Sequence, residues 1–441
     1  MNFDALSLHP QLLQATALCG YTQMTQVQQQ VIPKALQGQD LLVCAQTGTG
    51  KTAAFSLPFL HRLLKHQAQQ EPLPRPLSVL VLTPTRELAI QVGESIKNYS
   101  QMTQLRSVAV YGGANINPQR KALVRGVDIL VATPGRLFDL IGQHELDLSS
   151  VEQLIIDEAD RMLDMGFVKD IERVKSLVAP RHSTQMFSAT FSEQIKALAS
   201  KMLDTPQWIN IEPELSGSKI VQQVYPVDKR RKAELLAELI GKHNWQQVLV
   251  FVSSKESAEA LHKELKLDGV NNAVFHGDKT QGARNRALEQ FKSGELRVLV
   301  ATDVAARGID IAGLPLVVNV ELPLEAEDYV HRIGRTGRAG LDGHAISFVA
   351  LSDEKMLQEI EKLIGQTLPR HQVPGYELGA PLPERYRQLD LTRQENAEGA
   401  HSRHARGAKA KSGRHGHKRG GSNSGAKSSY ASRRANQSRR V

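Results

Sequence analysis

Lys51 and Thr52 close the stretch Ala45-Gln46-Thr47-Gly48-Thr49-Gly50-Lys51-Thr52, and their types and spacing suit a polyphosphate. Glycines let a tight turn aim successive backbone N–H groups at an anion, and the positive end of a following helix adds to the attraction. The lysine can reach the β- and γ-phosphates, and the threonine hydroxyl can ligate Mg²⁺. The strict pattern asks for Gly at position 45, where this chain has Ala. A second group, Asp157-Glu158-Ala159-Asp160, supplies carboxylates about a hundred residues downstream. Asp157 can hold Mg²⁺, and Glu158 can orient a water for attack on the γ-phosphate. Alone, such a tetrad would be an acidic helix start stabilised by the helix dipole. Beside a phosphate loop it reads as hydrolysis of a nucleoside triphosphate.

These groups need a scaffold. Leu41-Leu42-Val43 reads as a strand entering the loop, with a helix from Ala53 onward. From 77 to 210, apolar strands alternate with helical stretches: Val79–Leu82, Val108–Val110, Ile129–Val131, Leu154–Ile156 and one containing Met186-Phe187. Continuous apolar runs separated by helices predict a parallel sheet covered on both faces. In such a sheet, carboxylates at the end of a central strand face the ligand crevice. The rhythm restarts at Val248–Phe251, Val298–Val300 and Val317–Asn319, without a second phosphate loop. Polar residues Glu212 to Ser218, with Pro213 and Gly217, predict a linker. At the N-terminus, Leu6, Leu8, Leu12, Leu13, Ala17 and Leu18 predict one helix ended by Gly20, and Gln28 to Leu36 a second.

Composition limits the classes further. No apolar run approaches membrane-span length, and Met1-Asn2-Phe3-Asp4 lacks the basic and apolar pattern of a secretory signal. Cys19 and Cys44 are unclustered, which suits packing roles in a reducing cytoplasm. The net charge of +9 is uneven: residues 401–441 hold 12 Lys/Arg and no Asp/Glu, leaving 43 Lys/Arg against 46 Asp/Glu elsewhere. That Ser-, Gly-, Arg- and His-rich tail predicts a disordered polyanion-binding segment, with a solubilising tail as the alternative.

Taken in order, the motifs resemble those of the DEAD-box ATP-dependent RNA helicases. The matching residues are Phe3, Gly20-Tyr21 to Gln28, Ala45 to Thr52, Pro84-Thr85-Arg86-Glu87-Leu88-Ala89, Gly112-Gly113, Thr133-Pro134-Gly135-Arg136, Asp157 to Asp160 and Ser188-Ala189-Thr190. Later come Gln281 and Arg284, Ala301 to Asp310, and His331-Arg332-Ile333-Gly334-Arg335-Thr336-Gly337-Arg338. Ala45 is the family's usual form of the loop, whereas Met24 stands where the family usually has Pro. The compact core and short basic tail resemble the bacterial RhlE type.

The resemblance implies an α/β fold of two RecA-like parallel-sheet domains in tandem with a disordered basic C-terminal tail. It divides the chain into a Q-motif region (1–30), an ATP-binding domain (31–210), a linker (211–220), a second domain (221–370), and an extension with the tail (371–441). It implies Mg²⁺-ATP as substrate, with Phe3, Tyr21, Gln28, Ala45, Gln46, Thr47, Gly48, Thr49, Gly50, Lys51, Thr52 and Asp310 around it. The Gln28 amide offers both a donor and an acceptor, as adenine does, whereas guanine presents two acceptors on that edge. Arg335 and Arg338 match arginine fingers, with Lys51, Asp157 and Glu158 completing the catalytic set. Asp160, Ser188, Thr190 and His331 match coupling positions. Pro84, Thr85, Arg86, Gly113, Thr133, Arg136, Arg284 and Thr302 match contacts to an RNA sugar–phosphate backbone, which carry no base sequence. The implied activity is clamping and local unwinding of RNA, in ribosome assembly or RNA turnover, with ribosomal precursors or RNA-decay proteins as partners. An ATP-gated RNA clamp and a DNA translocase are the two alternatives.

Overall fold

Alternation within each short strand sets the architecture. In Leu41–Cys44 (β1), Leu41 and Val43 enter one apolar cluster and Leu42 another. The same division holds in Val79–Leu82 (β2), Ile129–Ala132 (β4) and Gln153–Ile156 (β5). A strand whose two faces both need cover must lie inside a sheet flanked by helices on either side. With Ser107–Val110 (β3), Ser183–Ser188 (β6) and Gln207–Asn210 (β7), these strands form a seven-stranded, all-parallel sheet ordered β3-β4-β2-β5-β6-β1-β7.

A second all-parallel sheet has six strands. They are Ile220–Pro226 (β8), Val248–Val252 (β9), Asn272–Phe275 (β10), Val298–Thr302 (β11), Leu316–Asn319 (β12) and Gly343–Val349 (β13), in the order β10-β11-β9-β12-β13-β8. Its strands alternate similarly: Val248, Val250 and Val252 face one cluster, Leu249 and Phe251 the other.

The computed structural model describes residues 2–46, 48–67, 76–211, 220–306, 311, 313–337 and 342–380. The expected linker (but for its end residues) and the basic tail lie outside them. Met1–Ala380 form one compact unit. Among the described residues, no helix is long and apolar enough to cross a membrane.

One expectation changes. The N-terminal helix does not start at Leu6: Phe3–Leu6 is a short 3-10 turn, Ser7 takes φ 50°, and the helix is Pro10–Leu18. Pro10 lacks the N–H that a helix interior requires and sits at the first turn instead. The extension also keeps packing beyond residue 370. Arg370 bridges to Val224, Tyr376 lies in the core under the second sheet, and its hydroxyl donates to Glu238 at 2.7 Å.

Candidate active site

The expected motifs of the first sheet sit where its strands end. The phosphate loop follows β1, Pro84-Thr85-Arg86 follows β2, Gly112-Gly113 follows β3 and Thr133-Pro134 follows β4. Asp157 follows β5, and Ser188 closes β6. In a parallel sheet all carboxyl ends lie on one edge, so distant sequence segments share one crevice.

Gly48 and Gly50 take φ 84° and 93°, conformations that favour glycine. Gly50 has a further constraint. A Cβ there would lie 2.6 Å from the Gln28 amide nitrogen, which donates to the Gly50 carbonyl at 3.3 Å. Gln28 Oε1 accepts from Thr25 N at 2.9 Å, and Thr25 Oγ1 from Gln28 N at 3.4 Å. This capping box opens the helix Gln26–Leu36 and joins it to the phosphate loop. Met24 is buried and leaves that cap intact. Lys51 is buried and donates to the Ala45 carbonyl at 2.6 Å, while Thr49 Oγ1 donates to Gln46 O at 2.7 Å. Thr52 follows in the first turn of Lys51–Gln67. Thr47 lies outside the described residues.

Asp157 and Glu158 are both buried. Burial pushes the Asp157 carboxyl up to about 7; Lys51 opposes the rise and Glu158 adds to it. A desolvated carboxylate of this kind fits a cation neighbour, and one carboxylate with a hydroxyl suits Mg²⁺. Thr52 and Asp157 are the groups here that would hold it. Among the described residues no cluster of three His, Cys, Asp or Glu could hold a metal. Glu158 carries φ 54°, ψ 54°. A non-glycine residue in the left-handed region costs on the order of 1–2 kcal/mol, strain that the surrounding fold must sustain. No sequence signal announced it.

Asp160 Oδ2 accepts from Ala189 N at 2.8 Å. The link from the tetrad to Ser188-Ala189-Thr190 therefore runs through a backbone N–H. The Ser188 hydroxyl is occupied locally, donating to Thr190 O at 2.8 Å and accepting from Thr190 N at 3.2 Å. Arg161, buried next to the tetrad, contacts Asp328 at 3.4 Å. That pair sets the helix Ala159–Asp164 against Ala326–Ile333 of the second sheet's lobe. The latter helix carries His331 and leads into Arg335. Both line a small pocket with Phe251, Asp303, Ala306, Asp328 and Arg332. Burial lowers the His331 pKa to about 4; Arg161 pushes the same way, and Asp160 and Asp328 oppose it. Arg332 is fully buried, with Asp303 at 2.6 Å and Asn319 Oδ1 at 3.1 Å, and holds this corner together. Asp310 and Arg338 lie outside the described residues.

The second junction involves Glu87. It accepts from Gln281 Nε2 at 3.0 Å and pairs with Arg284 Nη2 at 3.0 Å, and both residues belong to the helix Gln281–Lys292 beyond β10. In the sequence Glu87 stands only as part of a motif; its partners come from the fold. Thr85 caps Arg86–Tyr99, and Pro84 is buried beside it. The Arg86 guanidinium lies over Gly113, where a Cβ would collide with it. Arg136 donates to Ala114 O at 3.1 Å, and Thr133 precedes it at the helix start. Arg136 Nη1 and Arg284 Nε are buried donors without a hydrogen-bond partner among the described residues. Such cationic N–H groups fit anionic oxygens. Thr302 ends β11.

The DEAD/DEAH box helicase profile matches residues 25–198, and the helicase conserved C-terminal domain profile matches 231–340. The DEAD-box ATP-dependent RNA helicase CshA of Bacillus cereus is 40% identical over 374 residues, covering 85% of this chain and 70% of that protein. The ATP-dependent RNA helicase RhlB of Xanthomonas axonopodis is 40% identical over 387 residues, covering 87% and 68%. Among solved structures, S. cerevisiae Dbp5 bound to RNA and ADP BeF3 superposes with a TM-score of 0.73 at 30% identity, covering 84% of this chain and 95% of that one. DEAD-box helicase Mss116 bound to ssRNA and UDP-BeF gives 0.75 at 26% identity, covering 85% and 80%. Fold and site together define a phosphate-loop enzyme of the helicase type, built on two RecA-like parallel-sheet domains. The chain belongs to the DEAD-box ATP-dependent RNA helicase family.

Proposed function

We propose that this protein couples ATP binding and hydrolysis to clamping and local opening of RNA. The Arg161–Asp328 contact carries the reading, because it sets the acidic tetrad of one lobe beside the helix leading to Arg335 of the other. Gln28 reads the adenine edge, with Tyr21 and Phe3 as an aromatic wall. Lys51 holds the β- and γ-phosphates. Thr52 and Asp157 would hold Mg²⁺, which would supply positive charge against the phosphates. Water attacks the γ-phosphorus as the bond to the β–γ bridging oxygen breaks; Glu158 takes the proton and ADP leaves. Arg335 and Arg338 offset charge on the transferred group. Asp310 belongs with the ribose. Asp160, Ser188, Thr190 and His331 relay the phosphate state between lobes.

RNA runs along Pro84, Thr85, Arg86, Gly113, Thr133, Arg136, Arg284 and Thr302, held by its backbone. The buried, partnerless donors of Arg136 and Arg284 support that path. A duplex too wide for the joined track loses a few pairs. The test is displacement of a short RNA duplex with ATP. ATP-dependent RNA retention without displacement would assign a clamp instead.

The sequence supports finer proposals too. The short basic tail suggests the RhlE type, and the setting we propose is cytoplasmic ribosome assembly or RNA turnover, with ribosomal precursors or decay proteins as partners. Crosslinking in cells with identification of the bound RNA tests that setting; RNAs unrelated to either process would refute it. Residues 401–441, outside the described residues, are proposed as an RNA tether on their 12 Lys/Arg without Asp/Glu. Each phosphate neutralised on a single strand adds roughly 0.7 to the log–log salt slope. Deleting the tail is expected to flatten that slope and raise the RNA concentration for half-maximal ATPase, with little change in the maximal rate. Equal slopes would leave the tail a solubilising role.

A further inference from the structure

We infer that Tyr99 is a positioning residue for the nucleotide base, acting through the Tyr21 hydroxyl. The inference rests on the ATP-binding role proposed for Tyr21. Tyr21 is 38% exposed and stacks on Phe3 with ring centroids 6.2 Å apart. Its other neighbour is Tyr99, with centroids 6.0 Å apart and the two hydroxyl oxygens at 3.0 Å. Tyr99 is 4% exposed, the last residue of the helix Arg86–Tyr99, and part of the first lobe's core.

The three rings form a row whose two ends, Phe3 and Tyr99, are buried in the core and whose middle member, Tyr21, is half-open. A tyrosine at a surface turn has two side-chain torsions free, and stacking on a ligand must meet the entropy of fixing them. The packing around Tyr99 has already met that cost. Its ring is locked in the core, and its hydroxyl gives Tyr21 one preferred orientation. Burial raises the Tyr99 pKa and the Tyr21 hydrogen bond raises it further, though an ordinary tyrosine hydroxyl is already protonated at neutral pH. Tyr99 itself lies behind Tyr21 in the row, so its effect on a base passes through that ring.

The hydroxyl pair can be removed without emptying the core. Tyr99→Phe keeps the ring and its packing. The KM for ATP in RNA-stimulated ATPase is expected to rise about three- to tenfold, the worth of one modest hydrogen bond, with kcat within twofold of wild type. Tyr21→Phe breaks the same bond from the other side. The double variant is therefore expected to match the larger single effect. A purely structural role would lower the melting temperature and leave the KM unmoved. A KM within twofold of wild type in Tyr99→Phe, or single effects that multiply in the double variant, would overturn the inference. Absence of RNA-stimulated ATPase from the unaltered protein would instead overturn the function on which it rests.

Discussion

Arg335→Ala is expected to lower RNA-stimulated ATP turnover by about 10³-fold or more, with ATP still bound by the first lobe. Arg335 is buried on the second lobe, in the pocket it shares with His331 and Arg332. If, as proposed, this cationic group acts on charge that develops at the γ-phosphate, its loss falls on kcat more than on ground-state affinity. The corollary concerns the lobes separately. Residues 1–210 expressed alone contain the phosphate loop and the tetrad but lack Arg335, and should show no RNA-stimulated turnover. Single-turnover rates for Arg335→Ala, alongside fluorescent-nucleotide binding, check the expectation. Strong RNA-stimulated ATPase from the fragment would remove the need for the second lobe.

The second large effect separates binding from chemistry. Glu158→Gln is expected to cut kcat by about 10²- to 10⁴-fold, the usual contribution of a general base, while ATP and RNA remain bound together. The amide keeps size and hydrogen bonding but cannot take a proton. The left-handed backbone at Glu158 is unchanged by this replacement, so the fold should tolerate it. Lys51→Ala behaves differently. Its ammonium is the loop's buried cation, and its removal should lose nucleotide affinity and turnover together. Equilibrium ATP binding and steady-state ATPase on both variants distinguish the roles. Wild-type turnover in Glu158→Gln would mean another group is the base.

Much of this arrangement was legible in the chain because the core strands are apolar on both faces. Leu41-Leu42-Val43 and Leu154-Ile155-Ile156 stand out as unbroken runs, and the motifs attach directly to their ends. Strands without such runs escaped. Gln207–Asn210 is an edge strand with only Ile209 buried, and Ile220–Pro226 is an edge strand with Gln222 and Gln223 at its centre. Asn272–Phe275, another edge, begins on a polar residue. In Gly343–Val349 the polar His344 and Ser347 break the apolar pattern, and Ser347 is buried because Asn319 donates to its hydroxyl. The candidate site divides similarly. Residue types and spacing pointed to the phosphate loop and tetrad, since both are local. The family resemblance supplied the arginines and the RNA track. The Glu87 junction, the Arg161–Asp328 contact and the Tyr21–Tyr99 pair join residues 78 or more positions apart, and no local pattern encodes them.

ATP hydrolysis measured with single-stranded RNA, with DNA of the same sequence, and without nucleic acid is the most direct test of the central claim, that turnover requires an RNA-supported meeting of the two lobes. The account predicts slow turnover alone, strong stimulation by RNA and little by DNA, with the stimulation abolished in Arg335→Ala. Equal turnover in all three conditions, or equal stimulation by DNA, would contradict it.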